Sequence, residues 1–145
     1  MYKLTMAAAA LALTASTAFA GPVEDRQALM KSLGKALGPL AAIAKGENAY
    51  DQGVVEENLN ALNTAVQSID VAALFPEDSM EGETAALPAI WENMDDFTAK
   101  ADKLKADVAE VVASMPMDQA GVGAALGKIG PNCGGCHEDY RMKKN

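Results

Sequence analysis

The sequence predicts an all-α protein, and within that class an antiparallel four-helix bundle. Four segments carry apolar residues at alternating spacings of three and four, which is the period of an amphipathic helix. The connections within the first and last pairs of segments are short, and the central one is longer. Spacings of three and four also suit helices that pack nearly parallel to one another. A looser all-α domain built from the same helices is the alternative.

The first twenty residues predict a secretory signal peptide that is not part of the fold. Lys3 supplies a positive start, residues 6–13 form an apolar stretch, and A-F-A at 18–20 matches the cleavage pattern. The stretch is too short for a transmembrane helix, and an N-terminal membrane anchor is the alternative. We expect export to the periplasm, a mature chain that begins at Gly21, and a single domain over residues 21–145.

Turn-forming residues separate the four predicted helices. G-E-N at 46–48 ends the first helix, and Asp51 is expected to cap the second. The longest connection runs through residues 75–82, ahead of Pro88 at the start of the third helix. Asp118 is expected to cap the fourth helix.

Each predicted helix has one apolar stripe, which is expected to face the core. The last stripe runs on through Cys133 and Cys136, so we expect both cysteines to be buried. Pro39 and Pro131 lie inside helical patterns and are expected to kink or interrupt them, because proline lacks an N–H. The stripes are Met30, Leu33, Leu37, Leu40 and Ala44; Val55, Leu59, Leu62, Val66 and Ile69; Ile90, Met94, Phe97, Ala101, Leu104, Val108, Val111 and Met115; and Val122, Leu126, Ile129, Cys133, Cys136 and Tyr140.

A C-x-x-C-H motif, formed by Cys133, Gly134, Gly135, Cys136 and His137, carries the chemistry of the chain. This motif is typical of c-type haem attachment, in which two thiols add across the haem vinyl groups and the imidazole ligates the iron. On a helix the three reactive side chains share one face within about one turn. His137 is the only histidine, so no second histidine can ligate the opposite face of the iron.

Other uses of these residues fit less well. Structural zinc needs four ligands, and two cysteines with one histidine leave it one short. A thioredoxin-type dithiol is expected beside a βαβ pattern, and a disulfide between helical positions i and i+3 has poor geometry. The sequence therefore predicts one covalently bound haem c. An enzyme such as a peroxidase is not expected, since the chain has no second histidine to act as a distal acid or base.

The net charge limits the choice of partners. It is −8 for the whole chain and becomes −9 when Lys3 is removed with the signal peptide. Such a charge argues against nucleic acid and against stable binding to an anionic membrane. It favours a redox partner with a basic docking face. An acidic surface that is merely solvated is the alternative explanation of the same negative charge. The acidic pairs at 95–96 and 138–139 are predicted to be solvated faces.

A wider resemblance rests on C-G-G-C-H-E-D-Y-R at 133–141, R-Q-A-L-M-K-S-L-G at 26–34, I-A-K-G-E at 43–47, L-F-P at 74–76 and I-W-E-N-M-D-D-F at 90–97. With these segments the mature chain resembles the class II c-type cytochromes, the family of cytochrome c′ and cytochrome c-556, along essentially its whole length. Class I cytochromes c carry the motif near the N-terminus instead.

The resemblance implies a left-handed four-helix bundle with the haem on the last helix and the first helix passing over the distal face of the iron. It implies that Cys133 and Cys136 hold the haem and that His137 is the proximal ligand. Met30 matches the distal position of the family. Arg26, one turn earlier, matches an arginine that many cytochromes c′ carry near the haem propionates. Family members include monomers as well as homodimers formed through the first two helices.

Two functions follow from the side chain at position 30. If Met30 ligates the iron, the haem is six-coordinate and low-spin, and the protein is a one-electron carrier. If Met30 only fills space in the core, the haem is five-coordinate and high-spin, and the protein binds nitric oxide or carbon monoxide. We predict the electron carrier with His137 and Met30 as axial ligands. The gas-binding cytochrome c′ is the alternative, and Met94 is the next candidate ligand.

Overall fold

The computed structural model describes residues 21–143, so the predicted signal peptide lies outside the described residues. Six α-helices follow one another, and a 3-10 turn at Glu77–Ser79 lies between α3 and α4. Helices α1, α2, α5 and α6 form the bundle, in which α1 and α5 each pack against both α2 and α6. The predicted four-helix bundle is confirmed. The helices are α1 (Pro22–Ala44), α2 (Gln52–Gln67), α3 (Val71–Leu74), α4 (Ala89–Glu92), α5 (Met94–Ala113) and α6 (Gln119–Tyr140).

Contacts across α5 and α6 show that these two helices are antiparallel. The Tyr140 hydroxyl at the end of α6 donates to Asp96 at the start of α5, at 2.6 Å. Two to three turns earlier on α6, the Asn132 amide donates to Asp107, farther along α5, at 2.7 Å. The connection between the two helices, residues 114–118, is correspondingly short.

The main core lies along the axis of the bundle and draws on all four long helices. Burying these aliphatic side chains supplies most of the driving force for assembly, at roughly 25 cal/mol for each Å² of apolar surface removed from water. The predicted stripes account for most of this core. Its buried members are Leu33, Ala36, Leu40, Ile43, Val55, Leu59, Leu62, Val66, Val108, Val111, Val122, Ala125 and Ile129.

Both predicted N-caps are confirmed. The Asp51 carboxylate accepts a hydrogen bond from the Val54 amide at 2.9 Å, and Asp118 accepts from the Gly121 amide at 2.7 Å. Each bond satisfies one of the amides that have no partner within the first turn of a helix. The two caps therefore set the starts of α2 and α6.

The predicted break at residues 46–48 is a left-handed turn at Gly46, whose φ is +75°. The Gly46 amide donates to Ile43 O at 2.9 Å, and the Glu47 amide donates to Ala42 O at 2.9 Å. This pair of bonds is the Schellman arrangement, which uses the last free carbonyls of a helix and favours glycine at the left-handed position. The turn ends α1 and directs the chain into α2.

The third predicted helix is divided in two. Asn93 leaves the helical region, with φ −132° and ψ 44°, so α4 and α5 are separate elements. Its side-chain amide donates to Ala89 O at 3.1 Å, and this local bond competes with regular helical pairing. Pro39 and Pro131 do not interrupt their helices, since α1 and α6 continue past them.

We predict that Asp107 stabilises the fold in a pH-dependent way. Hydrogen bonds from Lys103 and then Asn132 hold the pKa of Asp107 below its usual range. Because the folded pKa lies below the unfolded one, this contribution is present at neutral pH and is lost as the pH falls below about 4. Denaturant unfolding of the parent and Asp107→Asn should therefore show a difference in unfolding free energy that shrinks from about pH 6 to about pH 2.

The control for this prediction is Asp102→Asn, which removes a carboxylate from the same helix. The side chain of Asp102 is 65% exposed, and its one ion pair within residues 21–143 is with Lys105. Exposed ion pairs contribute little to stability, so this variant should stay close to the parent. A difference for Asp107→Asn that is constant between pH 6 and pH 2 would contradict the prediction.

Candidate functional site

The candidate site is the last part of α6, where Cys133, Cys136 and His137 lie on one face of the helix. All three side chains are half-buried, and the two thiols are free. The expectation that both cysteines are buried is therefore wrong. The fully buried stripe of α6 ends at Ile129, which is 1% exposed, and burial returns only at Tyr140, which is 6% exposed.

The reactive face lies where two apolar clusters meet. Cys133 packs against the main core, whereas Cys136 packs against a second cluster around Ile90, Phe97 and Tyr140. A haem has two broad apolar faces and needs such a surface. A Cβ added at Gly134 or Gly135 would meet nothing within 4 Å, so space is open beside the motif. The residues present therefore fit a haem held through the two thiols.

The second cluster, which we call the aromatic cluster, consists of Phe75, Trp91, Phe97 and Tyr140 with Ile90. Its rings meet edge to face: Phe75 to Phe97 at 4.7 Å and Phe97 to Tyr140 at 5.1 Å between ring centroids. Trp91 joins Phe75 at 6.2 Å, and its indole N–H donates to Phe75 O at 3.0 Å. Edge-to-face contacts of this kind add to the stability gained from burial.

Burial also sets the protonation states at the site. It raises the pKa of the Cys133 and Cys136 thiols, and Lys100 partly opposes this at Cys136. Burial, with a smaller contribution from the Arg141 charge, lowers the pKa of His137. This shift favours the neutral imidazole, the form whose nitrogen lone pair can bind iron.

Met30 lies on α1 between two buried members of the same face but is itself exposed. Its exposed fraction is 44%, compared with 6% for Arg26 and 8% for Leu33. The stripe prediction for this position is therefore wrong, because no side chain of the core covers Met30. Met94, the second candidate, packs into the aromatic cluster. Met30 is thus the more accessible of the two thioethers.

Arg26 has a structural role that the sequence did not predict. Its guanidinium donates to Leu74 O at 3.0 Å, to the Ser79 hydroxyl at 2.9 Å, to Ser79 O at 3.1 Å and to the Thr84 hydroxyl at 3.4 Å. It also lies over the Phe75 ring, 4.8 Å from the centroid. Arg26 therefore ties the long connection between α2 and α5 to the start of α1.

The positive charge of Arg26 is buried, and no ion pair to it is formed within residues 21–143. Burial lowers its pKa, with Glu24 acting in the opposite direction. A buried cation is costly unless an anion lies nearby. The four hydrogen bonds of the guanidinium offset part of this cost.

A four-helix bundle with a C-x-x-C-H motif in its last helix has the architecture of the bundle-type c cytochromes. The cytochrome C′ family model matches residues 21–141. Cytochrome c-556 of Agrobacterium tumefaciens (strain II Chrys) is 48% identical over 125 residues, covering 86% of this chain and 100% of that protein. Cytochrome c′ of Rhodopseudomonas palustris (strain ATCC BAA-98 / CGA009) is 41% identical over 124 residues, covering 85% of this chain and 83% of that protein.

A solved structure of cytochrome c′ from Rhodopseudomonas palustris superposes with a TM-score of 0.79 at 38% identity, covering 88% of this chain and all of that one. The chain therefore belongs to the cytochrome c′ family. It is a haem c protein of the electron-transfer or gas-binding type. Among the described helices, none has the length and apolar character needed to cross a membrane.

We predict that Arg26→Met destabilises the protein by about 3 kcal/mol, because buried carbonyl and hydroxyl groups lose a charged donor. Arg26→Lys should recover less than half of this loss, since one ammonium group cannot reach Leu74 O and Ser79 O as the forked guanidinium does. Denaturant unfolding of the holoprotein measures both effects. Equal stability of the lysine variant and the parent would show that charge alone is sufficient at this position.

Proposed function

We propose that the protein is an exported monohaem electron carrier with His137 and Met30 as axial ligands. Cys133 and Cys136 bind the haem covalently, and the iron supplies one-electron redox chemistry. The protein holds this group against the apolar surface between its two clusters and presents a neutral imidazole to it. A single-electron carrier needs nothing more from its side chains, since no proton or group has to be transferred.

The observation that supports ligation is the exposure of Met30. Its thioether lies on the core-facing side of α1, 44% exposed, between Arg26 and Leu33, which are both buried. A flexible apolar side chain in that position is available to a group that packs over α1. A thioether stabilises the ferrous state and raises the reduction potential, which suits electron transfer.

Arg26 supports the same placement of the haem. Its buried charge lies one turn before Met30 on α1, where a propionate would supply the missing anion. The acidic surface, with a formal net charge of −8 for the whole chain, supports docking to a redox partner with a basic face. Export to the periplasm follows from the predicted signal peptide and agrees with covalent haem attachment, which takes place outside the bacterial cytoplasm.

Haem attachment is tested by mass spectrometry of the exported protein. We expect the parent to begin at Gly21 and to carry the mass of one haem. Cys133→Ser and Cys136→Ser should each lose one thioether but keep the haem through the other, so that acidified organic solvent does not extract it. Loss of both cysteines should abolish covalent attachment. Covalent haem that survives in the double variant would contradict the proposed attachment residues.

Ligation is tested by the optical spectra of the parent and Met30→Ala in both oxidation states. We expect a low-spin parent that does not bind carbon monoxide and a high-spin variant that does, with a reduction potential lower by on the order of 0.1 V. Met80→Ala is the matched control, because Met80 is also exposed, at 40%, and lies in a loop. The control should resemble the parent.

Two outcomes would contradict ligation by Met30. A high-spin parent that readily binds carbon monoxide would favour the gas-binding function instead. A low-spin spectrum that survives Met30→Ala would mean that another residue ligates the iron, and Met94→Ala would then be measured.

A further inference from the structure

The proposed proximal ligand lies in a part of the fold that is intrinsically weak. His137 is in the last turn of α6, which ends at Tyr140, and its carbonyl accepts a long bond of 3.3 Å from the Arg141 amide. The last carbonyls of a helix have no partners within the helix, and terminal turns fray. A ligand held by such a turn needs contacts from elsewhere if its orientation is to be fixed.

Two residues of α5 supply such contacts directly beyond His137. Asp96 accepts from the Tyr140 hydroxyl at 2.6 Å, and this bond raises the pKa of Tyr140 to about 12. Lys100 pairs with Asp139 at 3.3 Å and with Asp96 at 3.7 Å. Asp96 therefore holds Tyr140 and Lys100 holds Asp139, which are the last two residues of α6. The ion pair between Lys100 and Asp96 joins these two contacts.

The backbone beyond α6 strengthens the same turn. The Leu87 amide donates to Tyr140 O at 3.0 Å, and the Met142 amide donates to Ala85 O at 2.8 Å. Ala86 and Arg141 thereby form an isolated antiparallel bridge. The first bond uses a carbonyl that α6 itself leaves free, and the second holds the residue two positions beyond the helix. Both act on the backbone and do not determine how α6 is rotated toward the haem.

A matching contact lies on the other side of the motif. Asn132, directly before Cys133, donates to Asp107 of α5 at 2.7 Å. Contacts to α5 therefore bracket the segment 133–137. Within residues 21–143, no side-chain hydrogen bond or ion pair joins α6 to α1, so that interface is apolar and lacks directional contacts.

We infer that Asp96 and Lys100 are positioning residues for the haem. By holding Tyr140 and Asp139 they keep the turn that carries His137 helical and fixed in its rotation, while α1 is free to adjust to the distal ligand. This inference rests on the proposed ligation of iron by His137. Neither residue needs to contact the haem, because each acts through the last turn of α6.

The test compares Lys100→Met with Lys128→Met in the holoprotein. Both changes remove one lysine whose ion pair joins α5 to α6, and the two side chains are similarly exposed, at 31% and 35%. Lys128 pairs with Glu110, outside the bracketed segment. A general effect of charge or of helix pairing would therefore be shared by the two variants.

Two readouts report on the last turn. We expect amide hydrogen exchange at residues 140–141 to be up to about fivefold faster in Lys100→Met and about tenfold faster in Tyr140→Phe, without loss of global stability. The ferric electron paramagnetic resonance signal should broaden in both variants, because the orientation of the imidazole becomes heterogeneous. Lys128→Met should match the parent in both readouts, and Lys100→Arg should restore the parent behaviour.

Equal exchange and equal spectra in Lys100→Met and Lys128→Met would overturn the inference. If Tyr140→Phe does not fold, Asp96→Asn takes its place, because Asp96 is half-exposed and its substitution weakens the same contact to Tyr140. Its exchange rates and spectra are then compared with those of Lys128→Met. Failure of the proposed function gives a different result. The parent would then lack haem at the two cysteines, but amide exchange in the last turn of α6 would still show whether the contacts from α5 hold that turn.

Discussion

Helix α6 has to meet two opposite requirements along one face. Its first half must be buried, because Val122 and Ile129 close the main core against the other three long helices. Its second half must stay accessible, because a large apolar group can reach Cys133 and Cys136 only if the bundle does not cover them. The structure resolves this conflict by ending the fully buried stripe at Ile129 and placing the motif between two separate clusters. The other features of the site follow from this division.

The division explains why the polar contacts of α6 are with α5. A half-open helix segment cannot be held by core packing alone, and its last turn would fray. Asp96 and Asp107 compensate by binding Tyr140 and Asn132, on either side of the motif. The opposite neighbour, α1, contacts α6 through apolar side chains and carries the exposed Met30. Among the described residues, directional side-chain contacts thus hold α6 on the side that faces α5, whereas apolar packing holds it on the side that faces α1.

Arg26 extends the same arrangement to the long connection between α2 and α5. Its bonds to Ser79 and Thr84 hold that connection against α1, and the Thr84 hydroxyl also accepts from the Ala86 amide at 3.1 Å. Ala86 in turn pairs with Arg141, directly after the end of α6. One chain of hydrogen bonds therefore runs from α1 through the connection to the end of α6.

The four helices, the caps at Asp51 and Asp118 and the attachment motif could be predicted from the amino-acid sequence, because periodicity, capping and a fixed five-residue spacing are local properties. The break at Asn93 coincides with a local bond from its side chain to Ala89 O, which the apolar periodicity does not reveal. The exposure of Met30 and the half-burial of the cysteines became visible only in the folded chain, because they depend on which side chains from distant helices cover each position. The same reason applies to the acidic pairs at 95–96 and 138–139, which were predicted to be solvated faces. All four residues are exposed, as predicted. In addition, Asp96 accepts a hydrogen bond from Tyr140 and Asp139 pairs with Lys100, and no local pattern reveals these two partners.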